Sequence, residues 1–186
     1  MIRRLITLTA CAVGLTALMA PAANAANFFV YSKQGSSING YIVGRCDYNA
    51  CWPSASYRAG SGNGGKDGCQ YGNWIPNGNY SVRFHQDHYD WTIKGRVWYL
   101  SDHFCSSNGV TRTELFIHSE ETRDQGQTCW SPYYEPYCWD GDSDYYSYGC
   151  IKVARRPVRS DGYSDLGRVH QWYHWYPVSL VYVRTW

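Results

Sequence analysis

Apolar and polar residues alternate with a period of two along most of this chain, the mark of strands with one buried face. NFFVY (27–31) and GYIVGRC (40–46) carry that pattern on either side of the turn-like SKQGSSIN, which predicts a hairpin. SGNGG (61–65) reads as a loop, and IPNGNYSVRF (75–84) enters a strand through a Pro-Asn-Gly turn. WTIKGRVWYL (91–100) and TELFIHS (113–119) are rich in β-branched and aromatic residues and predict two further strands. The period changes once. In SDLGRVHQWYHWY (164–176), Leu166, Val169 and Tyr173 recur on one helical face, Ser164 or Asp165 can cap the start, and Pro177 ends the run. VSLVYVRTW (178–186) then alternates as a closing strand. No internal repeat and no long linker breaks this order, which predicts a single, mainly β domain.

The first 25 residues stand apart from the pattern. Arg3 and Arg4 precede an apolar stretch from Leu5 to Ala20, and Ala23-Asn24-Ala25 offers a small-x-small cleavage site. Residues 1–25 therefore read as an export signal, with the mature chain beginning at Ala26. A lipobox-like Leu8-Thr9-Ala10-Cys11 is a rival, but cutting there leaves too short an apolar core. No later apolar run approaches the length of a membrane span. Removing Arg3 and Arg4 brings Lys plus Arg from 17 to 15, equal to the 15 Asp plus Glu. Such a balance argues against nucleic acid as a partner, since that binding rests on basic patches.

Export also sets the redox compartment, in which cysteines normally pair. Seven of the eight cysteines follow residue 25: Cys46, Cys51, Cys69, Cys105, Cys129, Cys138 and Cys150. Six of them can form three bridges in any of about 15 ways, leaving one over. Our assignment is Cys129 to Cys138, Cys46 to Cys51 locally and Cys69 to Cys105 across the sheet, with Cys150 free. Residues 120–144 interrupt the strands with Glu120, Glu121, Asp124, Glu135, Asp140, Asp142 and Asp144 against Arg123 alone. A loop of that length is functional more often than not when it is ordered.

A free exported cysteine is a candidate nucleophile if a base, a group that orients the base, and oxyanion donors accompany it. Gly149 before Cys150 lets the backbone bend and aim N–H groups at a carbonyl oxygen. His118 ends a strand-like run, and a carbonyl at Ser119 could hold one ring nitrogen. FIHSE followed by SYGCIKV resembles the signature of L,D-transpeptidases with the YkuD-type catalytic domain. In that family His-Gly or His-Ser is followed by Ser/Thr-His-Gly-Cys. YRAGSGNGGKDGCQYGNWIPNGNYSV is similar to the family's small-residue segment, and SDLGRVHQWYHWYPVSLVYV to its closing helix and strand.

The resemblance implies a β-sandwich with one C-terminal helix and a disulfide-containing insertion, acting at the cell wall on peptidoglycan stem peptides. It implies Cys150 as nucleophile, His118 as base, Ser119 as the orienting carbonyl, and N–H groups at Gly149 and Cys150 as oxyanion donors. Tyr148 stands where the family usually has His, and a phenol can still donate a hydrogen bond. Ser147 and Lys152 are the candidate substrate-binding residues; Lys152 could meet a stem carboxylate as a point charge. The acidic insertion lengthens the gap between His118 and Cys150 and reads as a lid or wall of the cleft. Transfer to an amine, hydrolysis by water, and an inactive wall- or glycan-binding module remain alternatives. No cofactor is required, and a monomer is expected.

Other patterns read more plainly. Asp140, Asp142 and Asp144 alternate like the start of a calcium loop, but Gly and Glu are missing from the sixth and twelfth positions. His170 and His174 have helical spacing that can hold metal. With no third ligand evident nearby in sequence, they read as an exposed or packed pair, as do His85 and His88. The 9 Trp and 18 Tyr suit core packing in a β domain, with glycan stacking as an alternative. Lys152, Arg155, Arg156 and Arg159 read as a solvated basic face.

Overall fold

The computed structural model describes residues 27–46, 56–129, 137–155 and 162–185. Residues 1–25, expected from sequence to be an export signal, lie outside them, as do Cys51 and the basic residues Arg156 and Arg159. Among the described residues ten strands and one α-helix follow in order, with a 3-10 turn (Asp142–Tyr145) before β9: β1 (Asn27–Gln34), β2 (Ser36–Cys46), β3 (Ser56–Ser61), β4 (Gly78–Asp90), β5 (Lys94–Leu100), β6 (His103–Cys105), β7 (Val110–Arg112), β8 (Phe116–His118), β9 (Ile151–Val153), α1 (Asp165–Trp175) and β10 (Leu180–Thr185).

The expected sandwich is corrected to a closed barrel, in the order β1-β10-β4-β5-β8-β9-β3-β2, with β6 and β7 forming a separate hairpin. Two parallel pairings take part in closing it. Val30 of β1 lies opposite Tyr182 of β10, and Ile117 of β8 lies opposite Ile151 of β9. Both join segments far apart in sequence, so no local periodicity reports them. An eight-stranded barrel is just wide enough for side chains to fill. Phe29, Tyr31, Ile42, Trp98, Ile117, Ile151, Val181 and Val183 make that single filled interior, all at most 1 % exposed.

Helix α1 packs on this core through Leu166, Val169 and Trp172. Ser164 caps it, accepting from the Gly167 N–H at 3.0 Å, which satisfies one of the helix's orphan donors. Trp172 lies so close to β2 that a Cβ on Gly44 would sit 2.4 Å from its ring. The register of β4 on β5 shifts between Val82 and Phe84. Val82 faces Leu100 and His85 faces Trp98, so an extra residue flips the alternation and turns His85, not Phe84, towards the interior.

Two disulfides are present among the described residues, Cys69–Cys105 and Cys129–Cys138, and Cys46 is also disulfide-bonded. Cys150 is free and buried. No helix among the described residues is long and apolar enough to cross a membrane.

Candidate active site

The parallel register of β8 and β9 decides what meets. Ile117 and Ile151 are opposite and point into the core. Alternation then sends Phe116, His118, Cys150 and Lys152 to the outer face of the barrel wall. That face, joined by Phe84, Tyr89 and Tyr99, forms a cleft of about 720 Å³. His118 and Cys150 both line it, each 9 % exposed.

His118 Nδ1 lies 2.9 Å from the Ser119 carbonyl oxygen, to which it donates, leaving Nε2 as the lone-pair nitrogen. Burial, with the Lys152 cation adding to it, pushes the imidazole down to about 3. The Ser119 hydroxyl is itself buried without a partner. Burial also pushes the Cys150 thiol up to about 11, against a Phe116 backbone hydrogen bond and the Lys152 and Arg112 cations. The thiol's hydrogen bond runs to the Glu114 carbonyl at 3.5 Å rather than to His118. Both groups therefore rest neutral, because burial opposes charge on either one.

The turn before Cys150 is tightly built. The Ser147 hydroxyl donates to the Cys150 carbonyl at 2.7 Å and accepts from the Gly62 and Gly149 N–H groups at 2.9 and 3.2 Å. Gly149 has φ +115°, a backbone that side-chain-bearing residues rarely adopt. Its carbonyl accepts from the Ser61 hydroxyl at 3.3 Å. Tyr148 turns its ring outward, 66 % exposed, and stacks on Tyr71 at 5.2 Å. Lys152 is buried and ion-paired with Glu120, with its Nζ 5.8 Å from the Trp139 ring centre.

Two residues of the site carried no sequence signal. Arg112 is buried and donates to the backbone carbonyls of Gly68, Gln70 and Tyr148, the last two at 2.7 and 2.9 Å. A Cβ on Gly149 would stand 2.1 Å from Arg112 Nη2, so the guanidinium occupies the space that the glycine leaves open. Glu114, whose carbonyl receives the thiol, is one of two non-glycine residues at positive φ among those described, at 55°. Strain of this kind gathers at functional sites.

The described part of the insertion walls the cleft with Glu120, Glu121 and Tyr137. Glu121 is 1 % exposed, and its carboxylate holds Arg96 and Arg155, the latter at 2.8 Å. Asp142 pairs with Arg58 at 2.8 Å, and Asp144 accepts from the Gly141 N–H at 2.9 Å, so these two acids serve an ion pair and a local turn. On the other side of the β4–β5 wall, His85, Asp87 and His170 come together and His174 packs on His170, so the helix pair is packed as read and His85 joins it. Compared with family models, with curated proteins and with solved structures, the chain finds no match.

Proposed function

We propose that this protein is an exported cysteine acyltransferase of the L,D-transpeptidase type, acting on peptidoglycan stem peptides. The observation that carries this reading is the one free thiol among the described residues, just before β9, and an imidazole of fixed tautomer at the end of β8, both lining one cleft. In the first step His118 Nε2 takes the thiol proton as Cys150 Sγ attacks the carbonyl of the third stem residue. The C–N bond to the terminal D-alanine breaks, and that amine leaves with the proton from His118. An acceptor amine then attacks the thioester, restores the thiol and completes the cross-link; water in its place gives trimming. With the Gly149 N–H engaged by Ser147, the oxyanion donor in this scheme is the Cys150 N–H.

The neutral resting pair assigns a task to substrate. Its docking must displace the thiol from the Glu114 carbonyl and bring sulfur and Nε2 together. Catalytic contacts that are loose in a free enzyme often tighten only in the complex. Incubation with purified tetrapeptide muropeptides tests the proposal: dimers mean transfer, tripeptides mean hydrolysis, and unchanged substrate defeats both. Either activity should vanish in Cys150→Ala.

A second reading is favoured by the Tyr71–Tyr148 stack and by Trp91, 72 % exposed, which line the same cleft. Such a platform suits sugar rings, and a wall-binding module would use it without chemistry. Retention of Cys150→Ala but not Tyr148→Ala on isolated wall material, with no turnover by the wild type, would select this reading.

A further inference from the structure

We propose that His85, Asp87, His170 and His174 form a divalent metal site, suited to zinc, that clasps helix α1 onto strand β4. The site is separate from the Cys150 cleft and does not depend on the function proposed for it. Two elements supply two residues each. His85 and Asp87 share one face of β4 because the register shift after Val82 has turned that face inward. His170 and His174 are one helical turn apart on α1 and so share a face.

The donor atoms of His85, Asp87 and His170 converge, with His174 at their edge. His170 Nε2 lies 2.6 Å from Asp87 Oδ1 and 3.1 Å from His174 Nε2. His85 Nε2 lies 3.4 Å from Asp87 Oδ1. The ligand atoms of His85, Asp87 and His170 all fall within 4.8 Å of one another. Zinc–nitrogen distances of about 2.0–2.1 Å in a tetrahedron set neighbouring ligands about 3.3 Å apart. His174 lies outside that three-residue group, 3.1 Å from His170, and would turn inward to complete the tetrahedron.

Hydrogen bonding alone leaves the cluster unsatisfied. The single Nε2 of His170 faces a carboxylate and a second imidazole nitrogen, and one proton cannot serve both well. His85 Nε2 is buried, and its 3.4 Å approach to Asp87 Oδ1 lacks hydrogen-bond geometry. Buried polar atoms without partners are uncommon and call for an explanation, and a bound ion supplies one. Its four ligands would each offer a lone pair, with three neutral imidazoles and one carboxylate as an N/O set typical of zinc.

The surroundings hold the ligands in fixed orientation. His85 is flanked by the Trp98 and Tyr173 rings at 4.8 and 4.6 Å. Those contacts limit how the imidazole can turn.

The test uses the untagged full chain, stripped with chelator and titrated with zinc chloride in a calorimeter. One equivalent should bind with a Kd below about 1 µM, well inside the range of structural zinc sites. The Tm should rise by roughly 5–10 °C at a hundredfold excess over Kd. Binding should fall at least tenfold in His170→Ala/His174→Ala and in the near-isosteric Asp87→Asn, the second variant guarding against a helix that no longer docks. His88→Ala and Cys150→Ala should bind as the wild type does. Cobalt in place of zinc should give the visible absorption of a tetrahedral site, lost in Asp87→Asn. Absence of zinc binding below 100 µM, or undiminished binding by folded Asp87→Asn and by the double variant, would overturn the proposal.

Discussion

Alkylation of Cys150 as a function of pH tests the electrostatics of the cleft directly. A cysteine activated by a neighbouring histidine commonly rests as a thiolate paired with an imidazolium, reactive even at mildly acidic pH. Geometry argues otherwise. Burial raises the thiol from 9.0 to about 11 and lowers His118 from 6.5 to about 3. At pH 7 the thiolate fraction is then on the order of 10⁻⁴, a hundredfold below that of a thiol at 9.0. The rarer thiolate is the stronger nucleophile, which returns roughly tenfold at a Brønsted slope near 0.45, so a net deficit of about tenfold remains. Iodoacetamide rates, read by peptide mass mapping to isolate Cys150, should therefore climb tenfold per pH unit from 6 to beyond 10 without a plateau. His118→Ala should leave that profile within about threefold of the wild type while abolishing turnover. A plateau at pH 6–7 that His118→Ala removes would refute the neutral pair and restore the ion pair.

Gly149→Ala forces a left-handed backbone and places a methyl 2.1 Å from Arg112 Nη2; it should lose turnover and roughly 1–3 kcal/mol of stability by urea denaturation. Glu121→Gln leaves Arg96 and Arg155 facing a neutral amide in a buried site and should cost roughly 3–5 kcal/mol in the same assay. Cys69→Ser/Cys105→Ser opens a loop with a sequence separation of 36 and should cost about 4 kcal/mol on the loop-entropy scale. His118 stays neutral in the fold but gains a proton when unfolded, so the unfolded chain binds more protons below pH 6.5. Stability should fall as pH drops from 6.5 towards 3, by up to ~5 kcal/mol from this residue, and His118→Gln should flatten that part of the curve.

Much of the secondary structure was legible because strands and helix each obey a local rule. The helix from Ser164 was legible in a single cap and three apolar positions, and the bridge within the insertion in the nearness of Cys129 to Cys138. The β6–β7 hairpin was also legible in principle: Asn108-Gly109 sits between HFC and VTR, and Gly109 takes φ +71°. Barrel closure was not legible, because β1 with β10 and β8 with β9 pair across long separations. Nor was the histidine cluster. One extra residue in β4 inverts the inward set, so reading Phe84 as inward by plain alternation puts His85 on the wrong face. Arg112 escaped notice for another reason: its partners are backbone carbonyls, which no side-chain motif encodes.

The same inversion accounts for how the two proposed sites fit on one small barrel. Before the shift, β4 sends Tyr80 and Val82 inward to the core; after it, Phe84 goes outward to the cleft and His85 inward to Trp98. A regular strand would have put an imidazole against Tyr99 and Phe116, and a phenyl ring where helix α1 docks. The cleft would then hold a second titratable ring beside Cys150, and the helix would meet an apolar contact with no use for His170. The parallel β8–β9 pair needs a crossover, which a helix usually provides. Here the acidic insertion provides it, shortened by Cys129–Cys138 and tied to the barrel wall through Glu121. The insertion's length therefore lets β8 and β9 run parallel, with His118 opposite Lys152 and Cys150 just before β9 on the same cleft wall.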